Sequence, residues 1–185
     1  MPTGISRRVE QCIIHLQSHD CEGALINLFP AIDRTAKKRR PRAGVGERIK
    51  AFLADEEATI SAVGTGNLLV DISVDGISIP EALYKFGRTP IAHEGELDPR
   101  LRFTTDGSLR IGPNNWELPI GYIIGMCIAV VASPENKGER LSRELAVSIL
   151  GKQFRINEIW GRRESIEAHI GGIFNDHEVF ARCRA

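Results

Sequence analysis

The sequence is poor in cysteine. Cys12, Cys21, Cys127 and Cys183 lie far apart, no Cys-x-x-Cys pair occurs, and their spacing suggests no zinc site. They read as reduced thiols, buried or inert. An excess of charge of one sign is missing too, since 24 Lys and Arg balance 24 Asp and Glu. Such a chain has no global field to hold an anionic polymer, so any nucleic-acid contact has to come from a local basic patch. Long apolar runs are also absent. The stretch from Leu118 to Ala132 includes Pro119, Gly121 and Gly125 and falls short of the roughly 20 residues that a membrane crossing needs. It predicts a buried core helix and no membrane partner. No basic segment followed by an apolar run opens the chain, where Thr3 to Gln17 is polar and periodic, so the expected location is cytoplasmic. Neither an internal repeat nor a low-complexity linker occurs.

What is present is an ordinary globular composition, 185 residues with 42% hydrophobic and 26% charged, enough for one sizeable core. Ile5, Val9, Cys12, Ile13 and Leu16 fall on one helical face. Asp20 can cap a second helix in which Ala24, Leu25, Leu28, Phe29, Ile32 and Ala36 recur at helical spacing, with a kink expected at Pro30 and a stop at Pro41. Val45, Ile49, Phe52 and Leu53 mark a third. Between Gly64 and Ile79 the period becomes two, and Asp75-Gly76 suggests a short hairpin. Ser78 and Glu81 have capping-box spacing, which starts a helix burying Ala82, Leu83 and Phe86. Arg102 to Ile111 reads as a second hairpin around Asp106-Gly107. The apolar helix from about Leu118 follows, then a loop over Pro134 to Gly138 and another helix burying Leu141, Leu145, Val147 and Ile149. Phe154, Ile156 and Ile159 suggest an extended segment, Arg163 to Ile170 a helix, and the last residues a fraying tail. The chain is thus expected to be mainly α, with one or two short β-hairpin insertions.

The densest cluster of unusual residues is Leu83 to Gly95, where Gly87 and Pro90 punctuate a helix beside Arg88 and His93. On an unbroken helix, positions five apart diverge by about 140°. An interruption at Gly87 and Pro90 would turn both side chains toward one cleft. A guanidinium is permanently charged and fits phosphate oxygens with its fork, whereas an imidazole can move a proton near neutral pH. Together they suit phosphodiester chemistry. An architectural alternative pairs Arg88 with Glu94 or Glu81 and leaves His93 at a helix boundary.

With Arg88, four intervening residues and His93, set in Tyr84 to Glu94 with its His-Glu-Gly ending, the sequence resembles the HEPN superfamily, the higher eukaryote and prokaryote nucleotide-binding domains. The likeness runs over roughly Ile5 to Ala132. It implies a HEPN-like helical bundle, one domain over 1–185 with a C-terminal extension from about residue 134, and a homodimer whose subunits share a cleft. It also implies a metal-independent endoribonuclease of defence or toxin type with no cofactor, acting on RNA and kept with an antitoxin or companion protein. In that reading Arg88 and His93 are catalytic and Thr89, Glu94 and Tyr84 support them. His93 would move the proton of a ribose 2′-hydroxyl or of the leaving oxygen, Arg88 would stabilise phosphate charge, and a cyclic phosphate end would result. Active members often carry Asn, Asp or His after the arginine. Thr89 stands there and Pro90 follows, so a second function stays open, a non-catalytic nucleotide-binding or protein-interaction module. A third is a structural protein whose dimer interface is its role.

The run Lys37, Lys38, Arg39 and Arg40, joined by Arg42, is the candidate RNA-phosphate contact; its alternative is a solvated helix end complementing the dipole. The same choice applies to Arg162-Arg163. His15, His19, His169 and His177 show no metal-ligand spacing, so no metal is expected. Gly44-Val45-Gly46 lacks the Gly-Lys-Ser/Thr of a phosphate loop. Asp176-His177-Glu178 reads as an exposed tail, and Trp116 and Trp160 read as core anchors rather than base-stacking platforms.

Overall fold

Thr3 sets the start of the first helix. The computed structural model describes residues 3–185, so the first two residues of the expected 1–185 domain lie outside the described residues. Thr3 Oγ1 accepts the Ile5 amide at 3.1 Å and Ser6 Oγ accepts the Thr3 amide at 2.9 Å, which satisfies donors that a helix start leaves unpaired. Helix α1 (Gly4–Gln17) then buries Ile5, Val9 and Cys12 against α2 (Cys21–Arg39). Asp20 caps α2 by accepting the Gly23 amide at 2.8 Å. All six of its expected core residues are buried, and the helix is continuous through Pro30.

Helix α3 (Val45–Asp55) buries Ile49, Phe52 and Leu53, while Val45 stays exposed. After a one-residue break at Glu56 comes α4 (Glu57–Thr65), which the apolar periodicity did not mark. It lies against the apolar helix α7 (Gly121–Ala132), whose first expected residues, Leu118 and Pro119, belong instead to a strand. A Cβ on Gly125 would come 2.4 Å from the Ile60 carbonyl oxygen, and one on Gly121 2.4 Å from that of Gly64. The two backbones therefore approach through glycine.

Strands β1 (Ser73–Val74) and β2 (Ile77–Ser78) form the first hairpin, with Asp75 and Gly76 both at positive φ. Leu68 to Ile72 forms no strand, although the Ile72 carbonyl accepts the Ile79 amide at 3.3 Å. The second expected hairpin is corrected. Strands β3 (Leu101–Thr104) and β4 (Arg110–Gly112) do not bond to each other; β5 (Asn115–Pro119) lies between them, parallel to β3 and antiparallel to β4. The physical reason is burial. Trp116 and Leu118 of β5 are fully enclosed, so this strand takes the central place, whereas the Asp106 turn is held locally by its carboxylate, which accepts from Ser108.

The helix expected over Leu141 to Ile149 is overturned. Leu141 is buried in a loop, and β6 (Ala146–Ile149) pairs with β7 (Lys152–Arg155) through a turn at Leu150 and Gly151, both at positive φ. Leu145, Val147 and Ile149 alternate with a period of two, which suits a strand. The remaining elements are α8 (Ile156–Ile159), which replaces the extended segment expected beyond Arg155, α9 (Arg163–Phe174) and α10 (Val179–Cys183). The C-terminal residues do not form the expected loose tail: Asp176 accepts the Val179 amide at 3.0 Å, and Val179 and Phe180 are buried where α10 meets α4. One buried cluster runs from Ile5 to Phe180 and includes Ile149, Trp160 and Ile170.

Glu57 lies under the chain that joins α4 to β1, accepting the Asp71 amide at 3.1 Å with Oε2 while Oε1 has no partner among the described residues. Burial pushes its carboxyl up to about 7, opposed by the Asp71 amide. A carboxyl with a raised folded pKa favours the fold when protonated. Its contribution is full below about pH 4.5 and is lost as pH rises through about 7. Glu57→Gln is expected to flatten the fall of melting temperature with pH across this window, as read by circular dichroism melts. Gly125→Ala is expected to cost about 1–3 kcal/mol in denaturant unfolding, because the added methyl meets fixed backbone.

Candidate phosphate-binding groove

The segment carrying Arg88 and His93 starts at α5 (Ile79–Ala82), where Glu81 accepts the Ser78 amide at 3.2 Å and donates its own amide to Ser78 Oγ at 3.3 Å. This is the expected capping box, and it occupies Glu81. The helix then widens into a π turn over Leu83–Arg88, with the Thr89 amide bonded to the Tyr84 carbonyl, and continues as α6 (Thr89–Glu94). Pro90 has no amide to offer the Phe86 carbonyl four residues back; that carbonyl accepts the Asp98 amide at 3.0 Å instead. Thr89 Oγ1 donates to the Tyr84 carbonyl at 3.2 Å. The expected interruption is thus a π turn that ends at Arg88. Backbone geometry from Arg88 onward is ordinary right-handed helix.

Arg88 and His93 therefore keep the divergence of about 140° that regular helix imposes. Arg88 is half-buried and lines a groove of about 380 Å³ with Arg8, Phe29, Asp33, Ile91 and Ala92. Ile91 and Ala92 are its helical neighbours three and four positions on. His93 and Glu94 are exposed and lie outside that lining. Tyr84 and Thr89 line a different groove, of about 360 Å³, with Lys50, Lys85 and Glu81; the Tyr84 ring is 6.0 Å from the Arg88 guanidinium. The five expected site residues are thus distributed around one helix. Among the described residues, Arg88 pairs with neither Glu81 nor Glu94, and Arg8 pairs with no carboxylate. Asp33, the acid in the groove, is taken by Arg48 at 2.7 and 3.1 Å.

The basic run is divided in the same way. Arg39 points inward, bonding Asp55 at 2.7 Å, Glu56 at 2.8 Å and Glu135 at 2.9 Å, and its guanidinium lies 4.8 Å from the Phe52 ring centre. Burial opposes its charge, but Glu135, Glu56 and Asp55 together hold its pKa above the usual value. Arg40 bonds both Asp55 oxygens, and Lys38 donates to the Glu135 carbonyl and to Asn136. Arg163 joins the cluster through Glu56 at 2.6 Å, whereas Arg162 is exposed. Lys37, Lys38 and Arg42 are the members of the run left exposed without an acidic partner among the described residues. Arg8 was missed because it reads as the solvent side of an amphipathic helix, and nothing in the sequence signals that α6 crosses beside it. Trp116 and Trp160 are buried, which removes them as stacking platforms. Among the described residues, no group of three or more His, Cys, Asp or Glu is placed to hold a metal ion, and no helix is long and apolar enough to cross a membrane.

A mainly α protein with small sheets, presenting across one groove two arginines that pair with no carboxylate among the described residues, is the class that these features define. The chain belongs to the Rv1289 family, which matches residues 4–180. It is similar to the uncharacterized protein Rv1289 of Mycobacterium tuberculosis and to the uncharacterized protein Mb1320 of Mycobacterium bovis. Each is 30% identical over 165 residues, covering 75% of this chain and 74% of the relative. No solved structure matches the chain.

The two kinds of basic residue should separate on substitution. Arg39→Ala removes the one guanidinium shared by Asp55, Glu56 and Glu135 and is expected to cost about 3–5 kcal/mol in denaturant unfolding. Lys37→Ala and Arg42→Ala are expected to change stability by no more than about 0.5 kcal/mol.

Proposed function

We propose that the protein is a non-catalytic HEPN-like module that binds the phosphodiester backbone of RNA in the groove flanked by Arg8 and Arg88. The observation that carries this reading is the pair of guanidiniums on one groove, neither neutralised by a carboxylate among the described residues, while Asp33 is already occupied. A guanidinium fork matches phosphate oxygens, and a patch of this kind supplies locally the attraction that a chain without net charge lacks globally.

Endoribonuclease activity is the second reading, favoured by one observation: His93 is exposed and has no hydrogen-bond partner among the described residues, so a proton-transfer group is free on the helix that carries Arg88. Within one chain the two diverge, so this reading requires a homodimer in which the His93 of one copy reaches the Arg88 of the other. Fluorescence anisotropy with single-stranded RNA is expected to show binding that Arg8→Ala and Arg88→Ala each weaken on the order of three- to tenfold, with a shallower salt dependence. His93→Ala is expected to leave affinity unchanged. In EDTA the parent is expected to leave RNA intact; cleavage to cyclic-phosphate ends that His93→Ala abolishes would replace the binding module with the ribonuclease.

A further inference from the structure

Two hollows of about 600 and 660 Å³ meet at the turn that joins α8 to α9, and neither shares a residue with the groove of Arg8 and Arg88. Lys137, Gly161 and Arg162 belong to the walls of both. Gly161 lets the two segments approach: its φ is +72°, and a Cβ there would stand 2.7 Å from the Lys137 Cα. Two cations distant in sequence are thus set beside one turn, both exposed and neither paired with a carboxylate among the described residues. Most other charges of these walls are engaged. Arg163 bonds Glu56 at 2.6 Å, Arg184 bonds Glu167, Glu158 faces Arg155 at 3.5 Å, and Glu139 accepts the Thr3 hydroxyl at 2.6 Å. Glu164, exposed in the larger hollow, is the acid without a partner among the described residues. Two N–H donors are orphaned here as well. Trp160 Nε1 and Arg163 Nε are enclosed and have no acceptor among the described residues; Trp160 lines one hollow and Arg163 the other. An enclosed donor left unpaired is costly, and what it lacks is an acceptor oxygen.

We infer that this turn binds a phosphomonoester, the terminal phosphate of a small phosphorylated molecule, with Lys137 and Arg162 holding its oxygens and the Trp160 indole N–H donating to one of them. A phosphomonoester brings close to two negative charges and three strong acceptor oxygens at neutral pH. The guanidinium of Arg162 engages two of those oxygens at once, and the ammonium of Lys137 acts as a point charge. Together they outweigh the single free carboxylate of Glu164. The Ser165 hydroxyl, exposed in the same wall, offers a further donor. Hollows of this size are those that small ligands occupy, and the body of the molecule has room on either side of the turn. The site is independent of the RNA reading, because it uses neither Arg8 nor Arg88 and selects a terminal phosphate over an internal phosphodiester with its single charge.

The test follows the two indole N–H resonances of the full chain, labelled with nitrogen-15, during titration with inorganic phosphate and with adenosine 5′-monophosphate. Trp116→Phe assigns them, or Trp160→Phe if the first variant does not fold. The Trp160 resonance is expected to shift saturably with both probes, while that of the fully buried Trp116 stays in place. Lys137→Gln and Arg162→Gln are each expected to weaken binding on the order of tenfold, Glu164→Gln to tighten it, and Arg8→Ala to leave it unchanged. These four side chains are exposed, so the substitutions leave the core intact. A Trp160 resonance that does not move in millimolar phosphate would overturn the inference, and so would a shift that survives both Lys137→Gln and Arg162→Gln. A shift produced by single-stranded RNA with hydroxyl ends, but not by adenosine 5′-monophosphate, would overturn it too and make the turn part of an RNA surface.

Discussion

Glu56 is 2% exposed, and a carboxylate taken that far out of water is tolerated only with partners in place. Arg39 from α2 and Arg163 from α9 supply them, and the same Arg39 reaches Asp55 at the end of α3 and Glu135 in the turn after α7. Four segments far apart in the chain are therefore tied at one point. An ion cluster of this kind adds little net stability over well-packed apolar residues, but losing one member leaves charge stranded in the interior. It fixes where α2 ends, where α3 gives way to α4, and how the C-terminal helices dock. It also explains why Arg39 and Arg40, in a run that reads as a basic surface, are turned to interior carboxylates.

A second constraint acts on the helix from Ile79 to Glu94. Pro90 would leave the Phe86 carbonyl without a donor, and the π turn with the Asp98 amide accommodates it without breaking the helix. The outcome is a continuous rod that separates two grooves. Arg88 faces Arg8 across one, Tyr84 and Thr89 face Lys50 and Lys85 in the other, and His93 faces solvent. A punctuated helix and a π turn are indistinguishable in the residue order, yet they send the same side chains in different directions.

The helical part of the fold was readable where one face alone is buried. Val9 and Cys12 on α1, and Leu25, Leu28 and Ile32 on α2, repeat at the helical period and are all enclosed. Reading failed where burial is two-sided or polar. Helix α4 is buried nearly all round, including Glu57, Thr59 and Ser61, and so leaves no stripe. The β3-β5-β4 order escaped for a related reason: the turn at Asp106-Gly107 is a local signal, while the choice of central strand depends on which one buries Trp116.

The residue order alone determined the balanced charge, the caps at Asp20 and Ser78, the mainly α character, and the presence of an arginine and a histidine five positions apart on one segment. These are local properties, fixed by chemistry within a few turns. Only the tertiary structure decided that Arg39 is interior, that Arg8 belongs to a groove, and that His93 turns away from Arg88. Each of those depends on which distant segment lies opposite, and the residues that settle it, such as Glu56, Glu135 and Gly125, carry no signature of their partners.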